Sequence, residues 1–230
     1  MKSVLRAGLA ATFFALLGSG SALAQLDRIS NQDANAGLKA ALEKGSLAAV
    51  AALGRSDGFF GNGAVKIALP DSLKRYEKLM RGVGMGKYAD ELILTMNRAA
   101  EAAVPQAKAL LVDAVRKMTL QDAKGILTGG NTAGTEYFKR TTSGPLRDRF
   151  LPIVQQATRK VRLAEKYNQY AEKGASFGLL KKEDANLDNY VAQKALDGLF
   201  YMVAEEEKKI RENPLKAGSD ILRKVFGALK

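Results

Sequence analysis

Several groups of residues in this chain have the types and spacing to do chemistry. The first is Glu91, Asn97, Arg98 and Glu101. On a helix Arg98 meets Glu101 three positions on, and Asn97 meets it four positions on. Covered by neighbouring helices, this set becomes a buried polar network in which a carboxylate can act as a general acid. Paired carboxylates also cleave glycosides, and an envelope polymer such as peptidoglycan is the substrate that reading implies. The same residues equally make a solvated face or a structural ion network.

The second group is Asp184-Ala185-Asn186-Leu187-Asp188-Asn189, which has the opening spacing of an EF-hand calcium loop. Its sixth position is Asn189 where Gly is expected, and its twelfth is Ala195 where a bidentate Glu is needed. Helix capping by Asp and Asn accounts for the same residues, so neither a metal nor a cofactor is predicted. The third is a basic stretch, Lys139, Arg140, Arg147, Arg149, Arg159, Lys160 and Arg162, interleaved with Tyr137, Phe138 and Phe150. Cations alternating with aromatics suit an anionic ligand, and an anionic lipid headgroup or acidic glycan is favoured over nucleic acid. The fourth is the loop Asp57-Gly58-Phe59-Phe60-Gly61-Asn62-Gly63, where Asp57, Phe59 and Phe60 are read as an anchor tucked into the core. Gly82-x-Gly84-x-Gly86 lacks the preceding strand and the spacing of a phosphate cradle, and is read as a joint between helices.

What the chain lacks removes much chemistry at once. Its 230 residues contain no His and no Cys. A Ser-His-Asp triad, a Cys nucleophile and the usual zinc sites are therefore impossible. Any catalysis would rest on carboxylates, Lys, Ser, Thr or Tyr.

The N-terminus reads as an export signal. Lys2 and Arg6 precede the apolar run Ala7–Leu17, and Ala22-Leu23-Ala24 forms a small-x-small cleavage site before Gln25. The apolar run is too short for a bilayer span, which needs roughly 20 residues. A periplasmic or secreted protein is expected, with residues 1–24 removed. Losing Lys2 and Arg6 lowers the formal charge from +12 to +10, still basic enough to favour anionic neighbours. An exported chain without Cys has no disulfides, so its core holds the fold unaided.

Apolar periodicity supplies the elements that must position these groups. Helices are predicted over Asn31–Leu53, from Pro70 to Gly82, and through Asp90–Met118 with a break or kink at Pro105. Further helices follow from a cap at Thr119-Leu120-Gln121-Asp122, over Thr132–Thr141, and from Pro145 onward. A long helix over Leu187–Glu212 and a last amphipathic one over Ser219–Leu229 complete the chain. Val65, Ile67 and Leu69 alternate like a strand with nothing obvious to pair with. The fold class is thus all-α: one bundle-like domain, residues 25–230, with a short extended segment after the Asp57–Gly63 loop.

Five blocks in order carry a family resemblance. They are the Asp57–Asn62 loop, Met96–Glu101, Asp122–Leu127, Tyr137–Thr142, and Gln193–Phe200 running into Glu205–Arg211. Together they resemble the bacterial exported family known as the domain of unknown function numbered 4197, over nearly all the mature chain. The resemblance implies a single exported domain in Gram-negative-type bacteria, and brings no reaction, ligand or catalytic residue with it. The function expected is a binding or interaction protein of the cell envelope. Two alternatives stand beside it: a carboxylate-dependent hydrolase of an envelope polymer, and an assembly protein docking through its C-terminal helix.

Overall fold

Apolar residues at helical spacing need partners on each covered side, and the computed structural model shows how they find them. It describes residues 31–161, 164, 165, 167, 168 and 186–213. The signal segment, Arg162, Asp184 and the amphipathic stretch Ser219–Leu229 lie outside the described residues. Among the described residues the bounded helices are α1 (Asn31–Leu53), α2 (Asp71–Gly82), α3 (Gly86–Ala103), α4 (Ala107–Lys117), α5 (Leu120–Thr128), α6 (Ala133–Thr158) and α7 (Leu187–Glu212). No strand forms among the described residues. The protein is all-α.

Helices α6 and α7 pack along each other, and α3 lies against both. Helix α1 packs on α7 and α4, α5 sits against α6 and α1, and α2 packs mainly on α3. Helix α7 turns Leu187, Val191, Ala195, Leu199 and Val203 inward, a spacing that keeps them on one stripe. Helix α3 offers Ala89, Leu92, Met96, Ala99, Ala100 and Ala103, all fully buried. Small side chains there let neighbouring backbones come close, so much of this contact is helix against helix.

Pro105 breaks the middle rod as expected. A single 3-10 turn, Val104–Gln106, separates α3 from α4. The break meets the end of α1, because a Cβ on Gly54 would lie 2.9 Å from the Pro105 ring. Pro145 behaves differently. The sequence predicts one helix ending at Thr141 and another starting at Pro145, yet α6 runs through both Pro145 and Pro152. Each proline frees the carbonyl four residues back, on Thr141 and Asp148, and both of those residues are exposed. Water can satisfy these carbonyls, so the helix continues. Packing of Phe138, Thr142, Leu146, Phe150 and Val154 along its buried side holds it straight enough to span the core.

Candidate functional site

The loop after α1 is shaped by local chemistry. Asp57 takes a positive φ of 62°, which Asp tolerates better than most residues. A Cβ on Gly58 would lie 2.3 Å from the Leu53 carbonyl oxygen, so only glycine fits there. The tight turn sends the Phe59 ring fully into the core, where it faces Gly198 of α7. Phe60 is half-buried, with Lys66 Nζ 4.0 Å from its ring centre and the Arg98 guanidinium carbon at 5.8 Å.

Glu101 holds this loop from α3. Its Oε1 accepts the backbone N–H groups of Phe59 at 3.0 Å and Phe60 at 3.1 Å. Its Oε2 accepts from Arg98 at 2.6 Å, and Arg98 reaches on to Asp57 at 2.7 Å. Both bonds favour the charged form of Arg98, Glu101 more than Asp57. Of the four predicted network residues, Arg98 and Glu101 therefore bond each other and the predicted anchor residues Asp57, Phe59 and Phe60, whereas the predicted Asn97–Glu101 contact is replaced by bonds from Asn97 to Ile67 and Ile93. Glu91 is exposed and does not join them. A general acid needs a carboxyl oxygen aimed at substrate, whereas both Glu101 oxygens are engaged by the protein itself.

Asn97 supplies the partner that the extended segment lacks. Its Oδ1 accepts the Ile67 N–H at 2.8 Å, and its Nδ2 donates to the Ile67 carbonyl at 2.8 Å. One side-chain amide thus stands in for a neighbouring strand at the buried residue of the segment. The same Nδ2 also donates to the Ile93 carbonyl in α3.

A second buried acid repeats the arrangement. Glu207 of α7 accepts the N–H groups of Gly134 and Thr135, at 2.9 and 2.8 Å, and the Thr135 hydroxyl. These N–H groups open α6 and have no partner within it, so a carboxylate from another helix caps them. Arg211 pairs with Glu207 at 2.9 Å and also donates to the Ile126 carbonyl in α5. Sequence spacing anticipates the Glu207–Arg211 pair but not its burial. In the run Glu205–Arg211, i,i+4 spacing also offers Glu205 to Lys209, but Glu205 pairs with Lys208 and Lys209 with Glu206. Gly134 permits the close approach, because a Cβ there would lie 2.4 Å from Leu42 and 3.1 Å from Glu207.

Asp188 is the third buried acid. It accepts the Thr158 hydroxyl and, at 3.4 Å, the Asn168 amide, and so ties the end of α6 to the start of α7. Asn186 caps α7 by accepting from Asp188 and Asn189 N–H. Of the calcium-like spacing, Asn186 is used as a cap and Asp188 as a tie to Thr158 and Asn168. Among the described residues no three acidic side chains are grouped as a cation site needs.

The basic stretch is dispersed by the helix that carries it. Lys139 pairs with Glu136 at 2.8 Å, Arg140 with Asp122 at 3.4 Å, and Arg147 donates to Asn189 at 3.2 Å. Arg140 and Arg147 share a face of α6, while Arg149 stands roughly 200° further round from Arg147. Arg149, Arg159 and Lys160 are exposed. The aromatics between them, Phe138 and Phe150, are fully buried, and Tyr137 donates to the Ala114 carbonyl inside the core. Burial raises the Tyr137 phenol above its ordinary range.

Two shallow grooves flank the outer side of α7. One, about 400 Å³, runs between residues 64–68 and α7 and includes Tyr190 and Lys194. The other, about 490 Å³, lies between α6 and α7 and includes Glu136, Lys139 and Gln193. Asp197 and Tyr201 border both.

No curated protein and no solved structure matches this chain significantly. A family model described as "Protein of unknown function (DUF4197)" matches residues 28–227, most of the chain and all five blocks of the resemblance. The chain belongs to that family.

Proposed function

We propose that this is an exported binding protein of the bacterial cell envelope, periplasmic or secreted, that leaves its ligand chemically unchanged. The observation that carries this reading is the use made of the buried acids. Glu101, Glu207 and Asp188 each accept hydrogen bonds from the fold itself, and the first two cap backbone N–H groups. A glycoside hydrolase needs two carboxyl groups roughly 5 to 9.5 Å apart with a substrate between them. The acids bordering the grooves, Asp197 and Glu136, are solvated, and each has a partner in Lys194 or Lys139. Export is supported by the n-, h- and c-regions before Gln25 and by a family match that begins at residue 28. No helix among the described residues is long and apolar enough to cross a membrane.

Co-sedimentation of the mature protein tests this, using purified peptidoglycan sacculi and vesicles of anionic or zwitterionic lipid over a range of salt. Saturable retention on one of these, weakened by salt, is expected from the basic charge. Absence of retention on all of them overturns the reading.

A further inference from the structure

The joint between α2 and α3 has a chemistry that the bundle does not use. Helix α2 ends in a Schellman turn: Met85 N–H donates to the Met80 carbonyl at 2.7 Å, and Gly84 N–H to Arg81 at 3.2 Å. Gly84 sits at φ 76°, the left-handed conformation this turn requires. Arg81 braces the joint by bonding Glu77 on its own helix and Asp90 on α3. The turn is thus well determined, and what it presents is apolar. Leu79, Val83, Met85 and Tyr88 are between 42% and 66% exposed, a cluster of large hydrophobic side chains within ten residues of sequence.

Charge selects the occupant. From Lys78 to Ala89 the chain carries Lys78, Arg81 and Lys87 and no acidic residue, and the acids at its borders, Glu77 and Asp90, both bond Arg81, which leaves Lys78 and Lys87 as the cations of the tip. Lys87 lies over the Tyr88 ring at 5.2 Å, so cation and aromatic stand at the same level of the tip. An apolar turn bordered by Lys78 and Lys87, on a mature chain of formal charge +10, matches an anionic bilayer surface. Aliphatic side chains enter the acyl boundary there, while Lys and Tyr stay among the headgroups.

We propose that the α2–α3 tip is a membrane-surface anchor for anionic lipid, with Val83 and Met85 inserted and Lys78 and Lys87 at headgroup level. The proposal rests on the envelope-binding reading and assigns its surface and partner. The Val83, Gly84 and Met85 N–H groups are already bonded to carbonyls of α2, so inserting Val83 and Met85 exposes no unpaired N–H at those residues.

The chain contains no Trp, so M85W makes a single-tryptophan reporter of the tip and L120W one of a distant exposed site. Each variant of the mature protein is titrated with phosphatidylglycerol–phosphatidylethanolamine vesicles and with phosphatidylcholine vesicles. Expected are a blue shift of M85W on anionic vesicles and none of L120W. V83D and M85D in the otherwise native chain lose affinity roughly tenfold or more, the equivalent of one buried aliphatic side chain. K78E and K87E each lose roughly fivefold, with a shallower salt dependence. Lys78 and Lys87 are exposed, and circular dichroism of each variant is the check that it folds. A blue shift of M85W without vesicles that grows with protein concentration makes the occupant a second copy and overturns the proposal. Retention on sacculi with no response to vesicles overturns it too, while leaving the envelope-binding reading intact. Failure to bind either overturns both.

Discussion

The Glu101 carboxylate lies 3.0 Å from the backbone nitrogen of Phe59, 42 positions earlier in the chain. That contact makes Glu101 part of the loop's backbone hydrogen bonding. Side-chain acids do for the loop and for the start of α6 what secondary structure does elsewhere. The consequences are measurable.

Replacing Glu101 with Ala leaves the Phe59 and Phe60 N–H groups without an acceptor. Stability should fall by about 2–4 kcal/mol. Arg98→Ala leaves the buried Glu101 carboxylate its two backbone donors while removing a half-exposed partner, and should cost less, about 1–2 kcal/mol. Urea unfolding of both variants checks the order. Equal losses would mean that the ion pair, rather than the backbone contact, carries the clamp.

Asn97→Leu keeps the size of the side chain and loses both bonds to Ile67. We expect a loss of about 2–4 kcal/mol from two orphaned backbone groups. Amide hydrogen exchange gives the sharper readout. Protection at Ile67 should collapse in the variant, while α7 amides such as Leu199 keep theirs.

Two helical glycines should respond in opposite directions. A Cβ on Gly198 would lie 2.6 Å from the Phe59 ring, whereas one on Gly125 meets nothing within 4 Å. G198A should destabilise by about 1–3 kcal/mol through overpacking. G125A should stabilise by about 0.4–1 kcal/mol, because it restricts the unfolded chain and suits a helix. Thermal melts of the two variants side by side test the pair.

The α5 capping box should weaken in acid. Thr119 and Asp122 bond each other reciprocally, and the Thr119 hydroxyl first, then its N–H, holds the Asp122 carboxyl below its ordinary value of 3.8. A depressed folded pKa means that the contribution is full above the ordinary value and is lost as pH falls through the lower, folded one. Thr119→Ala should therefore cost about 1 kcal/mol at neutral pH. That gap should narrow below the ordinary Asp range, as urea midpoints at several pH values would show.

The ends of α1 and α7 were legible because an apolar stripe stopped at Gly54 in one case and was flanked by Asn186 and Asn213-Pro214 in the other. The Pro105 break was legible for the same local reason. Pro145 misled because a proline's effect depends on whether the freed carbonyl meets water, which is a tertiary fact. The network around Glu101 was half legible. Arg98 and Glu101 share a helix, so spacing brings them together, but the acceptors' backbone partners lie 41 and 42 positions away. The unpaired alternation at Val65, Ile67 and Leu69 was itself a clue, since buried backbone groups must be satisfied somewhere. Nothing local named Asn97 as their partner. Glu207 was hidden by its neighbours, because Glu205–Arg211 has the composition of a surface.

The most direct test is whether envelope material changes chemically in the presence of this protein. Purified sacculi and anionic vesicles are incubated with the mature chain and with folded E101Q, and soluble products are measured by mass spectrometry. The account predicts no fragments above the blank from either protein, with E101Q differing only in stability. Fragments released by the native chain and not by folded E101Q would contradict it.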